Sequence, residues 1–395
     1  MSRARPRAGD VVVVGGGVVG AATALALAQD GFQVQLVEAR QPRPWQADAE
    51  LDLRVFALAP SSARLLDQLG VWDGIRAARA CSYRGMQVRD AENGAELAFD
   101  AADRGRDSLG WIVENGLLVD RLWQALPAAG VRVHCPARVA DVHPRDEHVQ
   151  IEMDNGELLK SRLLIAADGA ASPLRRRAGI TCRTRDYHQR GVVAHVRGQR
   201  EHGGIAWQRF LSTGPLALLP LADGRCSIVW TLPEAEAQRV LQLDESDFMA
   251  ELGVASDFHL GPITETTKRA AFPLKLQLAR RYHAECLLLI GDAAHAVHPL
   301  AGQGVNLGLR DVAELRQVLH EAREAGHDIA AEHILARYAR RRRSADTLDA
   351  LGFDALERSF AWQFPPIVVA RGLGLRLLNR LTPIKRALAA HAAGD

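Results

Sequence analysis

Three glycines and a glutamate near the start of the chain have a spacing that suits one kind of chemistry. Gly15, Gly17 and Gly20 follow the apolar run Val11–Val14, and Glu38 lies 18 residues after Gly20. In such a pattern the first glycine permits a tight turn, the second lets the backbone approach a pyrophosphate, and the third lets a helix pack against the strand. The helix N-terminus attracts phosphates, and the glutamate can accept hydrogen bonds from ribose hydroxyls. The pattern predicts a dinucleotide site.

A second group follows another apolar run, Leu163–Ala167. Asp168 and Gly169 come directly after this predicted strand, where an aspartate can touch a ribose or anchor a turn. Ser172 is predicted to cap a short helix, because serine is a good N-cap and the proline after it suits the first helical position. The basic run Arg175–Arg177 has two interpretations, which are contacts to the phosphates of a second nucleotide or exposed arginines on the capped helix.

A third group begins after the apolar run Leu287–Ile290. Gly291 and Asp292 combine small size with a carboxylate that can bind a polyol hydroxyl. A glycine-rich loop then enters another helix, whose N-terminal N–H groups can face an anionic ring edge. The loop residues with this predicted role are Pro299, Gly302, Gln303, Gly304, Val305 and Asn306.

Metal and hydrolase chemistry are not predicted. His295 and His298 are three residues apart and could share a helical face, but neither a carboxylate nor a third histidine is suitably spaced, and Pro299 interrupts a helix there. Signatures of serine hydrolases and phosphate-loop NTPases are absent from the sequence. A dinucleotide site without an evident protein nucleophile indicates that a cofactor performs the difficult chemistry.

The segments that must position these groups show two different sequence patterns. Short apolar runs bounded by turn residues, including Val34–Val37 and Val131–Val133, predict parallel strands buried on both faces. Residues 187–232 instead alternate and are rich in β-formers, which predicts a mainly antiparallel inserted sheet. The chain from about Val312 onwards is predicted to be helical. The predicted fold is α/β, with a Rossmann-like nucleotide domain, an inserted substrate sheet and C-terminal helices.

The predicted domain boundaries lie where one sequence pattern gives way to the other. They are 1–72, 107–180 and 283–345 for the discontinuous nucleotide domain, 73–106 and 181–282 for the substrate domain, and 346–395 for the C-terminal helical segment.

Composition narrows the class of protein. The 395 residues include 49 basic and 47 acidic side chains, which give a net charge of +2. So small a net charge produces no overall electrostatic field that would attract nucleic acid. Five scattered cysteines predict reduced thiols, and we expect a cytoplasmic protein without a signal peptide or spanning helix. After Pro365 and Pro366, leucines and other apolar residues occur alongside four arginines and a lysine. This basic amphipathic segment either packs on the protein body or docks on a membrane surface or a partner of a biosynthetic complex.

Taken in order, the three groups resemble those of the group A flavoprotein monooxygenases, the para-hydroxybenzoate hydroxylase type. The resemblance implies that the first group binds the ADP half of FAD, the second contributes to FAD and NAD(P)H binding, and the third holds the ribityl chain and flavin. The matching positions are Gly15, Gly17, Gly20, Glu38, Asp168, Gly169, Arg175, Gly291 and Asp292, and the loop from Pro299 to Asn306 resembles the stretch beside the isoalloxazine ring.

Further segments resemble the ubiquinone-biosynthesis branch of that family, the 2-polyprenylphenol hydroxylase type. They are Asp52–Leu58, Leu65–Trp72, Val113–Asn115, Trp207–Phe210, Gly214–Pro215, Leu219–Leu221 and Phe272–Leu274. By this resemblance Arg54 would meet the FAD pyrophosphate, and Asn115 would meet the flavin or ribityl chain.

The branch implies hydroxylation of the aromatic ring of a polyprenylated phenol or quinol. NAD(P)H would reduce FAD, O2 would form a flavin C4a-hydroperoxide, and the distal oxygen would pass to the ring. Pro299, Gly302 and Gln303 would shelter the peroxide. The residues expected on the substrate side, which could also be ordinary sheet packing, are Trp207, Arg209, Pro220 and Phe272.

Two alternatives remain open at this stage. A prenyl-chain reductase would share the FAD groups but consume no oxygen. A flavoprotein scaffold of a biosynthetic complex would bind FAD with little activity. A flavin-dependent halogenase is disfavoured, because its W-x-W-x-I-P signature is absent from the sequence.

Overall fold

The computed structural model describes residues 9–145, 148–296, 304–361 and 365–394. The strands are β1 (Gly9–Val14), β2 (Val34–Val37), β3 (Val55–Leu58), β4 (Cys81–Tyr83), β5 (Gly85–Asp90), β6 (Glu96–Asp100), β7 (Gly110–Glu114), β8 (Arg132–His134), β9 (Val139–Arg145), β10 (His148–Met153), β11 (Leu158–Ala166), β12 (Cys182–Gly198), β13 (Ile205–Leu211), β14 (Gly214–Pro220), β15 (Cys226–Pro233), β16 (Ile263–Thr266), β17 (Ala270–Ala279), β18 (His283–Ala284), β19 (Leu287–Leu289) and β20 (His295–Ala296). The helices are α1 (Val18–Gln29), α2 (Pro60–Gln68), α3 (Trp72–Ala78), α4 (Asn115–Ala125), α5 (Pro173–Arg177), α6 (Glu234–Gln242), α7 (Glu245–Ala255), α8 (Gly304–Glu324), α9 (Glu332–Ala361), α10 (Pro365–Arg380) and α11 (Thr382–Ala393).

The first sheet carries the predicted nucleotide-binding strands. Its order is β18-β19-β11-β1-β2-β8, and β1 pairs in parallel with both β2 and β11. Val11, Val12 and Val13 of β1 are completely buried, as expected for a strand covered on both faces. The strands that precede the three sequence groups, β1, β11 and β19, are therefore neighbours in this sheet, so all three turns open at one edge of it.

The second sheet is mainly antiparallel, as predicted, and runs β20-β17-β12-β15-β14-β13-β5-β6. The exception on this path is the parallel pair of β13 with β5. One face packs against α6 and α7 through a cluster that includes Trp207, Phe248 and Leu252. The predicted α/β fold with an inserted sheet is confirmed, whereas the domain boundaries stay a prediction.

The C-terminal helices attach to both sheets. Arg371 of α10 forms a buried ion pair with Asp90 at the end of β5, with 2.6 Å between Nε and Oδ2. Asn93 donates to the Val368 carbonyl oxygen (2.9 Å), and Phe210 stacks on Phe360 with 3.7 Å between ring centroids. The Arg371 and Asn93 contacts fix one face of α10 against the β5–β6 hairpin, and the Phe210–Phe360 stack fixes the end of α9 on β13. In the described part of the chain, every helix is too short or too polar to cross a membrane.

Candidate cofactor site and adjoining cavity

The first glycine turn, residues 15–20, joins β1 to α1. Gly15 has φ +106°, and a Cβ on Gly20 would overlap the Gly15 carbonyl oxygen, so both positions require glycine. Gly17, in contrast, has no atom within 4 Å of the position its Cβ would take. It is the N-cap of α1, and no side chain accepts a hydrogen bond from the first N–H groups of this helix. Such a surface fits a pyrophosphate.

Glu38 lies beside this turn at the end of β2. Its carboxylate accepts from the Gly16 N–H (2.5 Å) and the Arg40 N–H (2.9 Å). Trp123 of α4, which sequence reasoning missed, donates from Nε1 to the Gly16 carbonyl oxygen (2.7 Å). A Cβ on Gly16 would lie 2.6 Å from the Trp123 ring. The available signal was Gly16, the middle one of three consecutive glycines, since an aromatic ring packs on it.

Arg54 and Asn115 come together at the start of α4. The Asn115 N–H donates to the Arg54 carbonyl oxygen (2.9 Å), and the Arg54 side chain is exposed. Glu114, which is 3% exposed, accepts from the Asp52 N–H (2.8 Å) and pairs with Arg79 (2.9 Å). This buried carboxylate fixes the loop that carries Arg54. The roles of Arg54 and Asn115 towards FAD stay predictions.

Asp168 keeps one carboxylate oxygen free for a ligand. Its Oδ2 accepts from the Leu174 N–H (3.2 Å), whereas its Oδ1 is buried without a hydrogen-bond partner among the described residues. Burial raises the pKa of this carboxyl, against the hydrogen bonds that lower it. Next to it, the Ser172 hydroxyl accepts from the Arg175 N–H (3.0 Å), which confirms the predicted N-cap of α5. The unpartnered oxygen fits a nucleotide hydroxyl.

The Arg175 side chain joins the second and third sequence groups. Its guanidinium is buried and donates to the carbonyl oxygens of Ala293 (2.7 Å) and Ala170 (2.8 Å). These donors are therefore directed at the protein backbone. Of its neighbours in the basic run, Arg177 pairs with Asp141 (2.7 Å).

The second glycine turn, Gly291–Ala293, lies close to the first. Gly291 has φ +55°, and a Cβ there would lie 3.2 Å from Val19, at the start of α1. Its N–H donates to Oδ2 of Asp311 on α8 (2.8 Å). Asp292 is exposed in this turn, as a residue that binds a ribityl chain must be. The two glycine turns thus form neighbouring walls of one candidate FAD site.

The glycine-rich loop is described only at its end. Gly304 and Val305 begin α8, and Val305 is buried. The predicted residues that lie outside the described ones are His298, Pro299, Gly302 and Gln303.

Asn306 fastens α8 to the segment between β3 and α2. Its Oδ1 accepts from the Ala59 N–H (2.9 Å) and the Ser62 hydroxyl (2.7 Å), and its Nδ2 donates to the Ala57 carbonyl oxygen (2.8 Å). The amide is thus used for positioning, and the N-terminus of α8 is fixed where the predicted flavin edge lies.

Behind the second glycine turn lies a group that we call the buried charge cluster: His295, Asp311, Arg342 and Asp346. His295 Nε2 is 2.6 Å from Asp311 Oδ2, and Arg342 contacts Asp311 (2.6 Å) and Asp346 (2.5 Å). The sequence interpretation found no carboxylate near His295, but the fold brings two there, with ligand atoms of the three residues within 4.8 Å of one another. The Arg342 guanidinium and the His295 imidazole are the two groups that can balance the charges of both carboxylates.

The charges in this cluster shift one another's protonation. Burial disfavours the charged imidazole, yet Asp311 and Asp346 raise the pKa of His295 to about 9. Burial likewise opposes ionisation of Asp311, but His295 and Arg342 lower its pKa. Burial raises the pKa of Asp346 to about 6. At neutral pH His295 is therefore a bound cation and not a free general base.

An open cavity adjoins the Asn306 side of the site, with about 900 Å³ of space that includes the solvent at its mouth. Its lining is mostly apolar, with polar groups at Ser108, Gln208 and two arginines. The residues that line it are Ala57, Ala59, Pro60, Tyr83, Met86, Phe99, Arg104, Arg106, Ser108, Leu109, Ala206, Trp207, Gln208, Ala217, Leu219, Asn306, Ala389 and Ala393. Thus the second sheet, α8 and the C-terminal helix α11 enclose one space.

Of the four residues predicted on the substrate side, Trp207 is among the lining residues, and its ring stacks on His259 (4.7 Å). Arg209 donates to carbonyl oxygens of α7, including that of Ala255 (3.0 Å). Pro220 is buried outside this lining, and Phe272 is 37% exposed. Along β13 the alternation of side chains places Ala206 and Gln208 on one face and Trp207 and Arg209 on the other.

Comparisons with known proteins agree with this geometry. Residues 8–348 match the FAD binding domain family. The chain is 38% identical over 386 residues to 3-demethoxyubiquinol 3-hydroxylase of Escherichia coli (strain K12), covering 98% of both chains. It is also 38% identical over 390 residues to ubiquinone hydroxylase UbiL of Rhodospirillum rubrum, covering 98% of this chain and 89% of that one. Among solved structures, p-nitrophenol 4-monooxygenase PnpA from Pseudomonas putida DLL-E4 has a TM-score of 0.78 at 20% identity, covering 98% of both chains.

These matches extend over almost the whole chain, and they confirm the resemblance, the fold class and FAD as the cofactor. The chain belongs to the FAD-binding family of monooxygenases that includes the ubiquinone-biosynthesis hydroxylases.

Proposed function

We propose that this protein hydroxylates the aromatic ring of a polyprenylated phenol or quinol in ubiquinone biosynthesis. The observation that carries the proposal is the mostly apolar cavity beside the FAD site. A phenol ring with an isoprenoid chain needs apolar walls and a few polar groups at the ring end. The lining has both, with Ala206, Ala217 and Leu219 as apolar walls and Ser108 and Gln208 as hydrogen-bonding groups.

Each part of the chain has a defined task in this proposal. FAD, reduced by NAD(P)H, would activate O2 for transfer to the ring. The first glycine turn and Glu38 would hold the ADP half, and Asp168 and Asp292 would bind hydroxyls. Small side chains in the cavity would orient the ring and exclude water, which strengthens polar contacts in the site. Pro299, Gly302 and Gln303 stay candidates for sheltering the oxygen that is transferred.

The first experiment is mass spectrometry of quinone lipids from cells that lack this gene. We expect a prenylated phenol that lacks one oxygen to accumulate, and its structure would give the ring position. With purified protein, oxygen uptake should match NAD(P)H oxidation and substrate turnover. Turnover without oxygen uptake would indicate a prenyl-chain reductase, and bound flavin that NADPH and substrate cannot reduce would indicate a scaffold.

A matched pair of variants tests the cavity itself. Ala389 lines the cavity, and Ala387 lies on the exposed side of the same helix, α11. Ala389→Phe should lower kcat/KM for a prenylphenol by about tenfold, since a bulky ring takes up part of the cavity, without changing FAD content. Ala387→Phe should leave both unchanged. Equal activity in the two variants would argue against this cavity as the substrate site.

We infer further that the lipid substrate is reached from an anionic membrane surface through α10 and α11. Val369, Leu373 and Leu377 are 58–61% exposed and four residues apart, so they form one apolar stripe. Residues 365–394 contain five lysines and arginines and no acidic residue, and two of the five are paired within the protein, Arg371 with Asp90 and Lys385 with Asp103. An apolar stripe flanked by basic residues is typical of helices that lie on anionic lipid. This helix pair also borders the cavity, through Ala389 and Ala393.

Vesicle sedimentation tests this contact. We expect binding to phosphatidylglycerol vesicles that weakens with salt, and little binding to phosphatidylcholine vesicles. Leu373→Asp with Leu377→Asp should abolish it, while Val254→Asp, at a 65% exposed position on another surface, should not. Binding that survives the double substitution would contradict the assignment. Loss of vesicle binding in both variants would show that the two charges act nonspecifically.

A further inference from the structure

The buried charge cluster takes no part in the chemistry proposed above, and it is costly to build. Its four side chains are 0–8% exposed. Buried ion pairs lose hydration energy, and apolar side chains of similar volume often stabilise a core better. The cluster connects three elements, since His295 lies in β20, Asp311 in α8, and Arg342 and Asp346 in α9. The contacts of the cluster show which segment it holds in place.

Asp311 is the member of the cluster that contacts the second glycine turn. Its Oδ2 accepts from the Gly291 N–H (2.8 Å) and from His295 (2.6 Å), and its Oδ1 accepts from Arg342 Nε (2.6 Å). Three donors thus fix one carboxylate, and hydrogen bonds to a charged group are stronger than those between neutral groups. The Gly291 N–H is held at the residue where the chain adopts φ +55°.

We propose that Asp311 is a positioning residue for FAD: it holds the second glycine turn, and with it Asp292, in the conformation that binds the cofactor. His295 and Arg342 orient Asp311 for this task. Arg342 in turn bonds Asp346, whose Oδ2 accepts from the Tyr282 hydroxyl (3.0 Å), which ties α9 to the segment before β18. This inference rests on the proposed assignment of Asp292 to FAD.

Titration of the apoprotein with FAD, followed by flavin fluorescence, tests the proposal. Asp311→Asn keeps the shape but turns an NH2 group towards one of the three donors. We expect it to raise the Kd for FAD about tenfold, the loss of one strong hydrogen bond. Asp346→Asn is the matched control, because it removes an equally buried carboxylate of the same cluster that does not contact the turn. It should lower the Tm of the apoprotein as much as Asp311→Asn does, and it should change the Kd for FAD less than about twofold.

Two results would overturn the proposal: an unchanged Kd in Asp311→Asn, or an equal rise in both variants at equal loss of Tm. Should Asp311→Asn fail to fold, Arg342→Lys gives a milder change that keeps the charge and removes the guanidinium geometry. It should raise the Kd about threefold, and an unchanged Kd would again contradict the proposal. The titration contains no substrate, so a failure of the proposed hydroxylation would not affect it.

Discussion

The two glycine turns beside the FAD site hold their shapes by different forces. In the first, excluded volume is decisive, because a Cβ on Gly20 would overlap the Gly15 carbonyl oxygen. In the second, φ +55° at Gly291 is combined with a hydrogen bond from its N–H to a buried carboxylate, Asp311. Steric shape is independent of pH, whereas a turn held by charge depends on protonation. The candidate FAD site therefore combines a turn whose shape does not depend on pH with a turn that a change in pH can destabilise.

The largest effect is expected at the first turn. Gly20→Ala places a methyl group against backbone, which cannot move aside as a side chain can, and should cost ~3 kcal/mol of stability with loss of bound FAD. Gly17→Ala is the control, because open space surrounds that position. It should keep the Tm of the apoprotein and weaken FAD binding alone, since the methyl group would lie where the pyrophosphate approaches. Thermal melts and FAD content of the purified proteins distinguish the two, and a stable, FAD-loaded Gly20→Ala protein would contradict the steric account.

A smaller loss is expected at the second turn. Gly291→Ala should cost about 1–2 kcal/mol, because an L-residue is strained at positive φ, and its methyl group would press on Val19. Gly70→Ala has a similar φ (+74°) but no neighbour within 4 Å and lies outside the site. Both variants should melt earlier, and only Gly291→Ala should bind FAD more weakly. Equal FAD affinity in the two variants would indicate that the second turn does not hold the cofactor.

The stability of the second glycine turn, which is held by the buried charge cluster, should depend on pH. The pKa of His295 is about 9 in the folded protein, against an ordinary value of 6.5, so the stabilisation from the charged imidazole is complete below pH 6.5 and is lost as the pH rises through about 9. Asp346, with a raised pKa of about 6, titrates separately at lower pH. Asp311 stays ionised and Tyr282 and Tyr338 stay neutral in this range, because the pKa of the carboxyl is lowered and those of the phenols are raised.

Thermal melts and FAD titrations between pH 7 and 10 measure this response. In the wild-type protein both the Tm and the FAD affinity should fall near pH 9, and in His295→Gln this step should be missing. A step of the same size in both proteins would assign it to another group.

The smallest effect is expected for the tryptophan that covers the first turn. Trp123→Phe removes the hydrogen bond to the Gly16 carbonyl oxygen and keeps most of the ring, so it should cost ~1 kcal/mol and weaken FAD binding a few-fold. Trp123→Ala should cost more, because it also removes the ring that packs on Gly16. Calorimetric titration with FAD compares them, and equal losses in both would show that the hydrogen bond carries the whole contribution.

The difference between the turns also explains what the sequence could predict. The first turn, its flanking strands and Glu38 lie within 30 residues, so strand, turn and helix could be identified together. The Ser172 cap was predictable for the same reason, because its partners are its neighbours. The parallel strands were predicted from the apolar runs, and the parallel pairing of β1 with β2 and β11 confirms them.

Contacts from distant parts of the chain were not predictable. His295 was interpreted without a carboxylate partner, yet Asp311 follows it by 16 residues and Asp346 by 51. Likewise, the strand of Trp207 is covered on both faces, by α7 on one and by the cavity on the other, so alternation alone could not say which face meets the substrate. Long helices such as α8 and α9 show their apolar face in sequence, but not which charges they bring together.

The position of α11 at the cavity has a consequence for protein synthesis. The walls formed by β13, β14 and α8 leave the ribosome before residues 382–393, which complete the enclosure with Ala389 and Ala393. Because domains begin to fold from the N-terminal side during translation, the apolar chamber is shielded from water only after α11 has been synthesised. A nascent chain paused before α11 would expose that lining, which makes this late stage the natural point for a chaperone, or for a first lipid molecule, to occupy the chamber.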